Sequence, residues 1–181
     1  WESGFKSLSP SHNLLNISYL LYYDIFMKLK VGDKAPKFNL SDQNGKKHSL
    51  LDYKKKWILL YFYPRDNTPG CTKEACTIRD NYNEFKKNKI VVFGVSNDTI
   101  EKHKKFAEKF ELPFTLLADT EKNLVKSYGV WSKKKFMGKE YFGISRSSFL
   151  ISPKGIIAKI YEKVKPADHA SEILNDIKLL K

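Results

Sequence analysis

The chain has 181 residues, a length that suits one domain of ordinary size with room for an appendage. Its hydrophobic residues, 41% of the total with twelve Phe and ten Tyr, provide enough apolar material for a real core and argue against wholesale disorder. Two cysteines are too few for the disulfide framework of a small secreted domain. The four histidines form no spaced set with them, which disfavours a zinc site.

The formal net charge of +13 belongs entirely to the chain after residue 29. Lysines cluster in that part of the chain, at residues 54–56, 86–89, 102–109 and 133–139. Such a surface either is simply solvated or attracts polyanions such as DNA, RNA or anionic lipid. Because only three basic residues are Arg, the forked contacts that read bases are scarce. We therefore predict at most loose contact of the Lys clusters with nucleic acid or other polyanions.

Residues 1–29 differ from the rest of the chain, and we treat them as an N-terminal extension of the domain at 30–181. Their apolar stretch at 14–26 is interrupted by Asn16, Ser18 and Asp24. This stretch is too short and too broken for a membrane span, which needs about 20 apolar residues. A targeting remnant and an ordinary linker both remain open for this extension.

Strand and turn signals become regular from residue 31 onward. An Asn44-Gly45 pair predicts a hairpin between strands at 38–41 and 47–50. The apolar run at 57–63 predicts a strand buried on both faces. We then predict a helix at 69–85, a strand at 90–95 and a second helix that ends at Phe110. The N-terminal cap of this second helix is Ser96, Asn97 or Asp98.

The second half of the domain continues the alternation of strands and helices. We predict a strand at 115–118, a helix near 121–128, a hairpin of strands at 147–151 and 156–161, and a final amphipathic helix at 167–180. This order predicts an α/β fold with a central mixed sheet between helical layers.

The most informative stretch joins the strand at 57–63 to the helix that follows it. Pro69 suits the first turn of a helix, and Cys71 then lies where free backbone N–H groups stabilise an anion. A thiolate is the nucleophilic form of a cysteine, and lowering a thiol pKa by two units needs roughly 2.7 kcal/mol. A helix terminus supplies about 0.3 to 2 kcal/mol, so we expect a nearby cation. Arg146, just before a predicted strand, is the candidate, whereas Lys73 on an exposed turn is expected to be solvated.

Cys76 lies five residues after Cys71, and this spacing limits what the pair can do. On an ideal helix their Cα atoms lie roughly 9 Å apart, beyond the 4.4 to 6.8 Å that a disulfide needs. Either the two cysteines never bond, or the first helical turns unwind during each cycle. Buried cysteines that act as small hydrophobic residues also fit this spacing. The sequence has no recognisable His partner motif of a cysteine protease, which disfavours that class of enzyme. A thioredoxin-type oxidoreductase is also disfavoured, because its cysteines are normally spaced CxxC.

Three motifs resemble those of one family. Pro64, Thr68 and Cys71 match the peroxiredoxin pattern PxxxTxxC at every fixed position. Cys76 matches the position of the resolving cysteine in the bacterioferritin-comigratory-protein or PrxQ subgroup. The runs at 128–131, 136–139 and 143–151 also resemble the sequences of that subgroup. The resemblance covers residues 30–181 and implies a thioredoxin-like fold with an added N-terminal β-hairpin.

The resemblance also implies a role for each site residue. Cys71 would be the peroxidatic residue, oxidised to a sulfenic acid, and Cys76 the resolving residue, which closes an intramolecular disulfide. Thr68, which could donate a hydrogen bond to the thiolate or the peroxide, would orient the peroxide together with Arg146. Pro64 would shield the pocket. Glu74 either holds Arg146 or is an ordinary exposed carboxylate.

The implied activity is a thiol-dependent peroxidase in antioxidant defence and redox homeostasis. Its substrates would be hydrogen peroxide and alkyl hydroperoxides, its reductant thioredoxin or glutaredoxin, and no metal, haem or flavin is implied. We expect a monomer in an intracellular reducing compartment, the cytoplasm or nucleus, with an organelle left open by the extension. The alternative is a basic polyanion- or chromatin-binding module in which the thiols are secondary.

Overall fold

A five-stranded mixed sheet forms the centre of the protein in a computed structural model that describes residues 28–180. Its strand order is β5-β4-β3-β8-β9, with β3, β4 and β5 parallel and with β8 antiparallel to both β3 and β9. Two separate hairpins, β1–β2 and β6–β7, flank it. The strands are β1 (Asn39–Ser41), β2 (Lys47–Ser49), β3 (Trp57–Phe62), β4 (Ile90–Ser96), β5 (Thr115–Ala118), β6 (Trp131–Phe136), β7 (Lys139–Ile144), β8 (Ser147–Ile151) and β9 (Ile157–Tyr161).

Helices cover both faces of this sheet. They are α1 (Pro69–Asp80), α2 (Tyr82–Lys87), α3 (Ile100–Lys109), α4 (Asn123–Ser127) and α5 (His169–Leu180), with a 3-10 helix at Leu50–Tyr53. Within residues 28–180, none of them combines the length and the apolar character that crossing a bilayer requires. The interrupted apolar stretch at 14–26 lies outside the described residues.

Two hydrophobic clusters fill the space on either side of β3, because side chains alternate along a strand. Leu59 and Tyr61 pack with α1, α2, α3 and α5 on one face. Leu60 and Phe62 pack with α4 and the N-terminal hairpin on the other. Residues 58–62 are all at most 2% exposed. The predictions of a doubly buried strand, a central mixed sheet between helices and an N-terminal hairpin are thus confirmed.

The structure corrects two helix predictions. The helix predicted at 69–85 divides at Asn81, whose side-chain amide donates to the Thr77 carbonyl at 2.9 Å and competes with the helical ladder. The cap of α3 is Thr99, whose hydroxyl accepts from the amide of Lys102, and not one of the three preceding residues.

A third difference is the hairpin of β6 and β7, since no strand was predicted at 131–144. Its first strand is a run of polar and Lys residues without the apolar alternation that signals a half-buried strand. The chain crosses from α4 through this hairpin into β8, so the hairpin ends beside the centre of the sheet. This position brings the end of β7 to the segment that carries Arg146.

Candidate active site

The polar residues of the site gather where β3 ends and α1 begins. Thr68 caps α1 with an extended backbone, and its carbonyl accepts from the amide of Thr72 at 2.8 Å. Pro69 occupies the first helical position, where its missing N–H is harmless. Cys71 is therefore the third residue of α1, and it is only 2% exposed. The predicted place of this cysteine in the first helical turn is confirmed.

Arg146 reaches the same point from the far end of the sequence. It lies between β7 and β8, and the register of β8 against β3 pairs Ser147 with Phe62, the last residue of β3. This pairing places Arg146 next to the loop that leads into α1. Its Nη2 atom donates to Sγ of Cys71 at 3.2 Å. A guanidinium at this distance stabilises the anionic form of the sulfur.

The same guanidinium forms an ion pair with Glu74. Nη1 of Arg146 donates to Oε2 of this carboxylate, which lies one helical turn after Cys71 and is fully buried. The predicted possibility that Glu74 holds Arg146 is therefore the one that the geometry supports. Its alternative, an exposed helix carboxylate, is wrong.

Burial determines the direction of the pKa shift of Glu74 but not that of Arg146. It raises the pKa of Glu74 from 4.5 to about 7, although the charge and hydrogen bond of Arg146 oppose the rise. Burial also acts to lower the pKa of Arg146, but Glu74 and Cys71 outweigh it, and the net pKa is raised. Among the described residues, Oε1 of Glu74 has no hydrogen-bond partner. Arg146 is thus the firmly charged member of the cluster, and Glu74 is the member that can take up a proton near neutral pH.

Gly70 permits the close approach of the guanidinium. A Cβ atom built on this residue would lie 3.1 Å from Nη2 of Arg146, closer than most real contacts. A side chain there would push the guanidinium away from the sulfur. Gly70 is a site residue that the sequence analysis missed, and its place between Pro69 and Cys71 was the available signal.

The structure also places the other residues singled out in the sequence of this segment. The hydroxyl of Thr68 donates to the carbonyl of Arg65 at 3.0 Å, so the predicted bond from Thr68 to Sγ does not form in this structure. Its proximity to its own loop backbone is the reason, because Thr hydroxyls satisfy nearby carbonyls readily. Pro64 is half-buried in the same loop, and Lys73 is exposed as expected.

Cys76 stands on the same continuous helix as Cys71. It is half-buried, and both cysteines are free. Five residues on an α-helix correspond to about 140° of rotation and 7.5 Å of rise, so the two sulfurs do not face each other while α1 is intact. A disulfide between them requires α1 to open.

A buried polar network fixes the loop between β3 and α1. Asp66 accepts hydrogen bonds from the hydroxyl of Tyr63 at 2.7 Å and from His103 Nδ1 at 2.8 Å. Its own amide donates to Asp98 at 2.9 Å, and His103 Nε2 reaches the carbonyl of Leu117 at 3.2 Å. The loop is therefore anchored to α3 and β5 as well as to its own strand. This network was not predicted, although Asp98 was one candidate cap of α3, since most of its contacts join residues that are far apart in the sequence.

The described residues contain no group of three or more His, Cys, Asp or Glu side chains arranged to hold a metal ion. A cavity of about 390 Å³ lies near the start of β3, lined in part by Leu50, Ile58 and Pro153. Cys71 and Arg146 do not line it, and it belongs to the opposite end of the strand. The site described above brings together one sulfur, one guanidinium and one carboxylate.

Comparison with known proteins places this geometry in a family. The AhpC/TSA family matches residues 31–160. Peroxiredoxin Bcp of Bacillus subtilis is 49% identical over 152 residues, which cover 84% of this chain and 97% of that protein. Peroxiredoxin Bcp of Escherichia coli is 47% identical over 150 residues, which cover 83% of this chain and 96% of that protein.

Solved structures agree with the sequence relatives. A mutant of PrxQ from Xylella fastidiosa superposes with a TM-score of 0.81 at 32% identity, covering 85% of this chain and 98% of that one. The bacterioferritin comigratory protein of Xanthomonas campestris superposes with a TM-score of 0.75 at 35% identity, covering 79% and 91%. The predicted thioredoxin-like fold is confirmed by these neighbours. The chain belongs to the AhpC/TSA family and, within it, to the Bcp and PrxQ peroxiredoxins, which are thiol peroxidases.

Proposed function

We propose that Cys71 is the peroxidatic residue of this thiol peroxidase and that Cys76 resolves it. The sulfur of Cys71, as a thiolate, attacks the terminal oxygen of a hydroperoxide. The O–O bond breaks, the leaving oxygen takes a proton and departs as water or an alcohol, and the sulfur becomes a sulfenic acid. The observation that carries the proposal is the contact of Arg146 Nη2 with Sγ of Cys71 at 3.2 Å.

Arg146 serves two steps in this scheme. Before the reaction it stabilises the thiolate, and during the reaction it stands where negative charge develops on the breaking O–O bond. Preorganised donors of this kind cost no reorganisation at the moment of reaction. Glu74 holds the guanidinium in place from the buried side. Thr68 would turn its hydroxyl from the Arg65 carbonyl to the bound peroxide, and Pro64 would limit access of water.

Resolution follows when α1 opens at its first turns. The thiolate of Cys76 attacks the sulfur of the sulfenic acid, water leaves, and a disulfide joins the two cysteines. A dithiol protein of the thioredoxin type then reduces this disulfide by thiol exchange, with glutaredoxin as the other candidate reductant. The opened segment gives the exposed sulfur that such exchange needs.

The substrate range we propose includes hydrogen peroxide and alkyl hydroperoxides. Support for the alkyl substrates comes from the bacterioferritin comigratory protein of Xanthomonas campestris, for which alkyl peroxide reduction is described. The alternative of a primary polyanion-binding module finds no support among the relatives. Loose polyanion contact, a monomeric state and an intracellular reducing compartment stay predictions.

A coupled assay tests the assignment of the cysteines. Turnover of peroxide with thioredoxin, its reductase and NADPH should be abolished in Cys71→Ser. In Cys76→Ser the first oxidation should stay fast while turnover stalls as sulfenic or overoxidised enzyme. Full turnover by Cys71→Ser would reject the proposal for the peroxidatic residue, and turnover by Cys76→Ser at the native rate would reject the proposed resolving step.

A further inference from the structure

Lys134 lies near the site although it belongs to an exposed Lys-rich hairpin. It stands in the middle of β6, opposite Tyr141 of β7. Its neighbours Lys133 and Lys135 are exposed, whereas Lys134 is half-buried. The alternation of side chains along a strand explains the difference, because Lys134 faces the protein when its neighbours face solvent.

The ammonium group of Lys134 is fixed in place by the backbone. Its Nζ atom donates to the carbonyl of Ile144 at 2.6 Å. Ile144 ends β7 and lies two residues before Arg146. The stem of Lys134 runs past Gly143, where an added Cβ would lie 3.7 Å from Cδ. The cation is thus tied to the segment that delivers the guanidinium to Cys71.

The charges of the site also act on the pKa of Lys134. Burial lowers its pKa, the positive charge of Arg146 lowers it further, and Cys71 raises it. A half-buried cation next to a second cation is unfavourable by itself.

Charge balance shows what Lys134 contributes. Above pH about 7, where Glu74 has lost its proton, an ionised Cys71 together with Glu74 and Arg146 leaves the cluster with one net negative charge in a poorly solvated place. The other titratable groups that face the cluster do not correct this. Burial raises the pKa of Tyr61 well above its ordinary value and lowers the pKa of His169, so both are neutral at pH about 7. Lys134 places a second positive charge on the segment that carries Arg146.

We propose that Lys134 is a positioning residue of the peroxidase site, whose ammonium holds the segment that carries Arg146 to the sulfur of Cys71. The proposal rests on the proposed role of Cys71 as the nucleophile. Without Lys134, the segment between β7 and β8 holds the guanidinium of Arg146 less firmly beside Sγ, and the fraction of reactive thiolate falls. Sulfur reactivity, rather than the fold, is the property that should change.

The test compares Lys134→Met with the matched control Lys135→Met, which removes the same charge from the exposed side of the same strand. All variants carry Cys76→Ser, so that only Cys71 contributes, and the ultraviolet absorbance of its thiolate is followed against pH together with the rate of alkylation by iodoacetamide. The titration midpoint of Lys134→Met should move up by about 0.5 to 1 pH unit, and its oxidation by hydrogen peroxide below the midpoint should slow about three- to tenfold. Lys135→Met should titrate and react as the unmodified protein does.

Lys134→Arg provides the rescue, because it keeps a cationic donor at this position and should return the titration midpoint most of the way to that of the unmodified protein. Thiolate absorbance does not depend on turnover, so the two proposals fail separately. If Cys71→Ser retains turnover, the role of Cys71 is wrong. If Cys71→Ser is inactive while Lys134→Met titrates like the unmodified protein, only the role of Lys134 is overturned. If Lys134→Met folds poorly, the same titration and oxidation rates are measured on Lys134→Gln, for which the same results are expected.

Discussion

The contact between Arg146 and Cys71 is the residue-level feature on which the proposed role of Cys71 depends. A single guanidinium donates to the sulfur with one nitrogen and to Glu74 with the other. This fork geometry is available to Arg and not to Lys. We therefore expect activity to depend on the shape of the cation as well as on its charge.

Replacement of Arg146 by Gln should slow oxidation of the sulfur. We expect the second-order rate constant with hydrogen peroxide to fall by about 10²- to 10³-fold, the usual effect of removing one preorganised donor at developing charge. The fold should survive, because Glu74 can take up a proton when its partner is lost. Stopped-flow fluorescence measures the rate.

Arg65 offers the matched control for that variant. Its side chain is exposed in the loop between β3 and α1. Arg65→Gln should react at the rate of the unmodified protein. Equal losses in both variants would show that general positive charge, and not the contact of Arg146 with Sγ, governs the reaction.

Glu74 should make stability depend on pH. Its pKa is raised from 4.5 to about 7 by burial, so the folded state binds this proton more tightly than the unfolded state. Its contribution to stability is complete below pH about 4.5 and is lost as pH rises through about 7. Relative to Glu74→Gln, which does not titrate, the unmodified protein should lose up to about 3 kcal/mol of unfolding free energy across that window.

Urea unfolding at a series of pH values measures this difference. Glu108→Gln is the control, because Glu108 is an exposed helix carboxylate. The difference in unfolding free energy between Glu108→Gln and the unmodified protein should not vary with pH in this way. A constant difference for Glu74→Gln as well would mean that the buried carboxyl titrates at the same pH in the folded and unfolded states.

At the scale of secondary structure, α1 must be both a scaffold and a segment that opens. Its first turn holds Cys71 beside Arg146, yet its regular geometry keeps Cys76 out of bonding range. Local opening has a free-energy cost that depends on helix propensity at exposed positions. That cost should set the rate of disulfide formation.

Lys73 tests the opening of α1 because it is exposed and lies between the two cysteines. Gly costs about 1 kcal/mol relative to Ala inside a helix. Disulfide formation after oxidation should therefore be up to about fivefold faster in Lys73→Gly than in Lys73→Ala. Quenched alkylation followed by mass spectrometry reads out the rate.

The same Gly and Ala pair at Lys104 is the control. This residue is exposed in the interior of α3, which carries neither cysteine. Its two variants should form the disulfide at equal rates. If the Lys73 pair also showed equal rates, helix opening would not limit resolution.

The elements that carry the chemistry were largely predictable from the sequence. The apolar run of β3, Pro69 at the start of α1 and the strand after Arg146 left strong local signals. The hairpin of β6 and β7 left none, because a run of lysines resembles a solvated loop. Its inward-facing Lys134 became visible only when the pairing of the two strands was known.

At the scale of the whole molecule, the site depends on contacts between distant parts of the chain. Arg146 and Glu74 are 72 residues apart, and His103 and Asp66 are 37 residues apart. The first pair was foreseen through family resemblance and the need for a cation. The second was not, because a buried polar network has no periodic signature in sequence. Tertiary pairing, and not local propensity, decides which charged residues meet.

The most direct test of the account is the mass of the intact protein after one equivalent of hydrogen peroxide. We expect a loss of two hydrogens, which maps to a disulfide joining Cys71 and Cys76, and no such loss in either Ser variant. A protein whose mass stays unchanged while peroxide persists, or whose oxidation maps to residues other than these two, would contradict the account.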